Sequence, residues 1–316
     1  MFWRGTVLSI VPIMNVGEVE TNPGMPVPDP GRSVVVLPPP GEGPGNWAGG
    51  PSAVAADGHI YLSYRLRRPV GLGRGYANVV ARSADGVSFE TLVTLNRDEF
   101  GTESLERPAL VRTPDGTWRL YVSCATPGTK HWRVELLEAD DPGKFTSRSR
   151  RVVLPGDPKT AVKDPVIRYR DSMWHLWASV HPLTDPHETD QMTTDYATSA
   201  DGIDWIWHGT ALAGRPGLWD SRGTRASSVS FAGDKIVATY DGRATAAENY
   251  EERTGIAVGT EPAALTQFGT EPLAESPFRG GGLRYLDVLQ LPDGGTRLYY
   301  EMTRPDGAHE LRSELR

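Results

Sequence analysis

The feature that most constrains this 316-residue chain is a fivefold internal repeat. Short apolar runs begin at Pro51, Pro108, Pro165, Ser228 and Asp287, at spacings of 57, 57, 63 and 59 residues. Each run soon reaches an aspartate: Asp57, Asp115, Asp171, Asp234 or Asp293. Each then enters an apolar or aromatic stretch such as HIYLSY or TWRLYVS. Asp-Gly between alternating apolar runs predicts a tight β-hairpin. Asp171-Ser and Asp234-Lys are weaker forms of the same signal.

Two further strands follow in each unit. The third strands are expected at 76–85, 132–141, 194–201, 253–260 and 308–315. Fourth strands are expected at 89–95, 145–154, 205–212 and 265–273. ARSADGVSF (81–89) and ATSADGIDW (197–205) share Ser-Ala-Asp-Gly and an aromatic at matched positions. The fifth unit lacks a fourth strand of its own, and RSVVVL (32–37) near the N-terminus can supply it. This pattern predicts an all-β five-bladed β-propeller, with four antiparallel strands per blade and the N-terminal strand closing the last blade. A β-sandwich would need five matched turns to coincide. The expected organisation is an irregular leader over 1–46, carrying the closing strand, and a single propeller domain over 47–316.

Composition agrees. There are 35 Gly and 26 Pro, beside 9 Trp, 11 Tyr and 7 Phe. Many turn formers with many large flat side chains suit short strands and tight loops, not a helical bundle. Lys and Arg number 33 against 40 Asp and Glu, a net charge of -7. No basic stripe stands out, so nucleic acid is not an expected partner. The apolar stretch Thr6–Met14 contains a proline and lacks a small-residue cleavage site, so it makes a poor signal peptide. No run approaches the roughly 18 apolar residues of a membrane span. The single cysteine, Cys124, allows no internal disulfide and fits a reducing compartment, which favours the cytoplasm over secretion.

The innermost strand of each propeller blade lines the channel, and the residues where it begins converge on one pocket. Matching the five starts sends Glu106, Arg107, Lys163, Asp164, Arg225, Arg284 and Asp287 to a common centre. Such charges are costly to desolvate unless paired or used. They are either a site or a set of ion pairs plugging the channel. The polar links on the rim add His131, Trp132, His181, Asp241 and Glu251, and the loop GLWDSRGTR adds Asp220 and Arg222. Trp47, ahead of the first run, joins the candidate substrate-binding set. His181, His187 and Asp190 share one polar loop and are read as solvated side chains, not metal ligands. No cofactor is expected, although a channel of this kind can carry a structural cation.

KDPVIRYRDSMWHLWAS (163–179) resembles the third-blade signature of five-bladed glycoside hydrolases of families 43, 32, 68 and 130. PSAVAADGHIYLSYR (51–65) resembles their first-blade strand pair. The resemblance implies cleavage or transfer of glycosyl groups, commonly furanosides, xylosides or mannosides. In the family 43 pattern a first-blade Asp is the general base, a third-blade Asp tunes and orients, and a Glu before the fourth blade is the general acid. Asp164 matches the third-blade position. Gly50 stands where the base would be, and Thr224-Arg225-Ala226-Ser227 contains no Glu.

Glycoside hydrolysis needs a proton donor and a second carboxylate about 5 to 9 Å away. Asp164, Glu106 and Asp220 are therefore the expected catalytic constellation, with Asp241, Glu248, Glu251 and Glu252 as further carboxylates on the rim. Arg107, Arg222 and Arg225 are expected to bind sugar hydroxyls, a carboxylate or phosphate. The expectation is a glycosidase-like enzyme on a small carbohydrate. The alternatives are a glycoside phosphorylase or a non-catalytic carbohydrate-binding propeller.

Overall fold

A computed structural model describes residues 24–278 and 280–316. The stretch Thr6–Met14 lies outside the described residues. After β1 (Val34–Leu37), the first unit comprises β2 (Trp47–Ala56), β3 (His59–Arg67), β4 (Gly75–Ser83) and β5 (Glu90–Asn96). The second contains β6 (Ala109–Arg112), β7 (Trp118–Ala125), β8 (Trp132–Ala139) and β9 (Arg151–Leu154). The third contains β10 (Thr160–Arg170), β11 (Met173–Pro182), β12 (Thr193–Ser199) and β13 (Ile206–Leu212). The fourth contains β14 (Gly223–Ala232), β15 (Lys235–Arg243), β16 (Arg253–Glu261) and β17 (Ala264–Phe268). Last come β18 (Leu283–Gln290), β19 (Thr296–Thr303) and β20 (His309–Leu315).

Strands within each unit pair antiparallel with their sequence neighbours. β1 adds to β20, with Val34 opposite Ser313 and Val35 opposite Arg312. A single parallel bridge, Trp47 to His309, joins this last unit to the first. Hairpin turns sit where the aspartates placed them. Asp57 and Gly58 have φ of 50° and 73°, and Asp171 and Ser172 have 51° and 62°. Two successive left-handed residues match the right-handed twist of the flanking strands.

Two expected strands are shortened. Over 265–273 extension ends at Phe268. Over 145–154 only Arg151–Leu154 is extended. Pro142–Lys144 and Ser147–Ser149 are 3-10 turns instead. Asp141 and Thr146 cap them by accepting from the Gly143 and Arg148 amides, which offers the backbone an alternative to the ladder.

Neighbouring units bury apolar faces against each other. Leu136 meets Ile167 and Trp174 between the second and third units. Leu62 and Val79 meet Tyr299 and Leu311 between the last and the first. Burying such a side chain contributes about 1.5–3 kcal/mol. A polar clasp accompanies this packing. The Tyr121 hydroxyl donates to the Gly202 carbonyl at 2.8 Å, and Tyr299 donates to Gly86 at 2.9 Å. At the matched position in the third unit, Trp177 Nε1 donates to the Pro262 carbonyl at 2.9 Å. Gly86 and Gly202 belong to the two Ser-Ala-Asp-Gly turns. Asp85 closes one by accepting from the Val87 and Ser88 amides, and Asp201 closes the other with Ile203 and Asp204. The first strands pack in order, and β18 returns to β2. Among the described residues no helix is long and apolar enough to cross a membrane.

Candidate functional site

The ladder between first and second strands slips at one recurring place. The slip falls between Gly49 and Ser52, Lys163 and Val166, Ala226 and Ser228, and Arg284 and Asp287. A bulge of this kind re-aims the chain at the end of a sheet. Gly50, Asp164 and Tyr285 occupy it with φ of 62°, 51° and 54°. Glycine takes that conformation freely and Asp tolerates it, but for Tyr it is a strained backbone.

Next to the bulge stand Gly49, Lys163, Arg225 and Arg284, paired with Arg65, Ser179, Asp241 and Glu301. Glu106 takes this place in the second unit, its amide donating to the Ser123 carbonyl. Gly49 has a specific reason to be glycine. A Cβ there would overlap the Glu301 carboxylate, which reaches across to Arg65.

These side chains form a continuous alternation of charge. Glu106 accepts from Arg65 and from Arg67. Arg65 continues to Glu301 at 2.9 Å, and Glu301 to Arg284 at 2.7 Å. Arg284 bonds Glu252 at 2.6 Å, and Glu252 also holds Arg243. Arg243 reaches Asp190 at 3.1 Å, which Arg222 grips at 2.7 Å. A branch runs from Arg225 to Asp241 at 2.7 Å and to Asp164 at 3.4 Å. Lys163 lies 3.6 Å from Asp164. Tyr285 lies under the Arg225 guanidinium, 3.9 Å from ring to cation, and donates its hydroxyl to Asp164 at 3.4 Å.

The network opens on a cavity of about 130 Å³. Glu106, Lys163, Arg225 and Arg284 line it, joined by Trp132 at the start of β8, His181 near the end of β11 and Asp190 from the link that follows. Asn249, Tyr250 and Glu252 close the far side. Eight cationic side chains line it against three carboxylates.

Burial pushes the Glu106 carboxyl up, but Arg65 and Arg67 outweigh it and hold the group well below the usual carboxylate range. Glu252 is held down in the same way by Arg284 and Arg243. Asp164 is also lowered, because Lys163 and Arg225 overcome its desolvation. Asp241 goes the other way, since Arg225 only partly offsets its burial. Burial, reinforced by Lys163, drives His181 down to about 3. Burial would raise the Tyr250 phenol, but Arg67 wins and lowers it. Tyr250 also has φ of 80°, and its ring lies 4.9 Å from both Trp47 and the Arg67 guanidinium.

The candidate residues divide by location. Glu106, Lys163, Asp164, Arg225 and Arg284 come together, with His181 beside them and Asp241 directly behind Arg225. Asp220 does not join them. It is fully buried away from the cavity, held by Arg215 and by the Tyr240 hydroxyl at 2.8 Å. Arg107 and Asp287 lie deeper. Arg107 reaches across to the carbonyls of Pro51 and Ser227, with Asp287 at 4.0 Å, so these two are committed to each other and to backbone away from the cavity lining.

Arg222 stays outside the lining, anchoring Asp190. Glu251 is tied to Thr303 and the Gly282 amide. Trp47 is buried under Arg67 and Arg284, 4.2 and 4.8 Å from its ring, and supports the cavity from behind. His181 is half-buried rather than freely solvated, and Ser179 and the Thr189 carbonyl hold its two nitrogens.

Sequence reasoning missed Arg65, Arg67, Glu301 and Tyr250. The first and third are signalled by register. Arg65, Ser123, Ser179, Asp241 and Glu301 occupy one matched place on the second strands, as legible as the starts of the first strands.

No protein-family model matches the chain, and no curated protein matches it. Solved structures do resemble it. A β-1,2-mannobiose phosphorylase from Listeria innocua aligns over 90% of this chain and 96% of its own, at 15% identity and a TM-score of 0.63. A family 43 enzyme from Xanthomonas citri, complexed with xylotriose, aligns over 90% and 89%, also at 15% identity and 0.63. A thermostable family 43 glycoside hydrolase covers 85% and 88% at 15% identity, with a TM-score of 0.64. At this identity the likeness shows a shared fold, that of propeller-fold glycoside hydrolases and phosphorylases.

Proposed function

We propose that the five units are blades of one closed propeller and that its cavity acts on a glycosidic bond of a small oligosaccharide or glycoconjugate. Closure is supported by the clasp, which joins the last unit to the first as it joins the second to the third. The observation that carries the activity is the alternating charge network. All five units contribute to it, and it presents Glu106 and Lys163 to the cavity with Asp164 behind them.

Breaking a glycosidic bond builds positive charge on the sugar ring and requires a proton on the leaving oxygen. Glu106 stays ionised and supplies fixed negative charge for the first need. Asp164 is enclosed and acts by holding Lys163, Arg225 and Tyr285 in place. Asp220 has no part in this reading, since its carboxylate is committed to Arg215 and Tyr240. The lining carboxylates are all held by arginines, so the proton has to come from another group. Tyr250 lines the cavity, and the neighbouring Arg67 loosens its proton.

The test is turnover of aryl glycosides and short β-linked oligosaccharides, with and without inorganic phosphate. Phosphate is included because one similar structure is a mannobiose phosphorylase. Sugar release is expected, and Asp164→Asn or Tyr250→Phe should lower it about a hundredfold or more. Sugar binding without turnover under either condition would overturn the enzymatic reading. It would leave a carbohydrate-binding propeller, the reading favoured by arginines that occupy every lining carboxylate.

A further inference from the structure

The chain is acidic overall, yet its cavity is cationic. The net charge is -7, while the lining carries eight cationic side chains and three carboxylates. A local inversion of sign focuses the field on a ligand of opposite charge. The excess lies on one side. Arg67 and Arg74 approach from the first unit, Lys130 and Lys163 from the second and third.

Their partners on that side are few. Glu106 is shared between Arg65 and Arg67. Among the described residues Arg74 pairs only with Glu103, at 3.2 Å on the outer edge. Lys163 has Asp164 at 3.6 Å, a carboxylate that Arg225 also uses. Lys130 is exposed and has no ion-pair partner among the described residues. Arg67 is 3% exposed, and its Nε makes no hydrogen bond. Its guanidinium is stacked against Trp47 and Tyr250, so one carboxylate shared with Arg65 is its ionic compensation.

We propose that the substrate itself carries an acid group, as a hexuronic acid residue does, and that Arg67, Arg74, Lys130 and Lys163 hold its carboxylate. This deepens the glycosidic reading and rests on it. Planar guanidinium groups suit a carboxylate, and the two lysines add adjustable point charges. Trp132 and Tyr250 line the same space and give a sugar ring apolar surface to pack on. The acid group therefore orients the sugar, and the charged ring beyond it presents Glu106 to the bond.

The experiment is calorimetric titration of the full chain with digalacturonic acid, a glucuronosyl-xylose disaccharide, their neutral counterparts, and inorganic phosphate alone. The acidic sugars should bind about tenfold or more tightly than the neutral ones, and added salt should erode the difference. Lys130→Gln, at an exposed position, and Lys130→Gln with Lys163→Gln should each reduce that preference without lowering the melting temperature by more than a few degrees. Equal binding of acidic and neutral sugars would overturn the inference and leave the glycosidic reading intact. Binding of phosphate with no preference for acidic sugars would also overturn it, assigning the cations to an inorganic anion. An undiminished preference in the double variant would place the anion site elsewhere. No binding of any sugar would instead bring down the glycosidic reading itself.

Discussion

At the residue scale, the site holds its titratable groups in one charge state each. His181 shows this most directly. It is hydrogen-bonded at both nitrogens and faces Lys163 and Arg225, with Asp164 as the opposing charge. Its ordinary value is 6.5, and in the fold it falls to about 3. As pH drops below 6.5 the unfolded chain takes up a proton that the folded chain refuses, so stability falls with pH. The lowered carboxylates act in the same direction, but only below the ordinary carboxylate range of about 4. Between 6.5 and that range His181 acts together with His175, whose value burial also lowers, while Asp241, raised by burial, opposes them. Urea unfolding at pH 7 and pH 5 should show a loss of which His181 contributes at most about 2 kcal/mol, and His181→Gln should remove that share. A loss of unchanged size in the variant would assign it to another group.

At the element scale, β1 carries more than its four residues suggest. It covers the outer edge of β20, and Arg312 there bonds the Ser33 hydroxyl and carbonyl. Removing residues up to 37 would bare an edge strand whose unpaired amides invite another chain. On size-exclusion chromatography the truncated protein should elute as larger species than the full chain does. This strand was legible because RSVVVL stands alone in an irregular leader and the last unit lacks a partner. The hairpins were legible for a local reason, since an Asp-Gly turn between apolar runs is set within a few residues. The site was half legible. Glu106, Lys163, Asp164, Arg225 and Arg284 follow from first-strand register alone. Arg65 and Glu301 meet only because distant units bring them together over Gly49, and Tyr250 sits on a link with no repeat to align. Asp220 misled because its loop leads to the fourth unit, yet its side chain turns inward to Arg215. Gly50, expected to mark a missing base, has a backbone conformation that Asp164 adopts at the matched place.

At the scale of the whole molecule, the apolar seams and the clasp decide how the units depend on one another. Tyr299 binds the last unit to the first through the Gly86 carbonyl, and Arg297 reinforces it at the Asp85 carbonyl, 3.0 Å away. Tyr299→Phe leaves that carbonyl unmatched in a buried seam and should cost about 1 kcal/mol, read by chemical denaturation. The same substitution at Tyr121 should cost a similar amount, because its bond to Gly202 is the internal copy. A large difference between the two would mean that the first-to-last seam is built differently from the rest. In an open row of repeats the outermost members fray first and expose the next. In the closed ring proposed above each unit has a neighbour on both sides, so unravelling has no natural starting point, and the chain should resist proteases until it opens all at once.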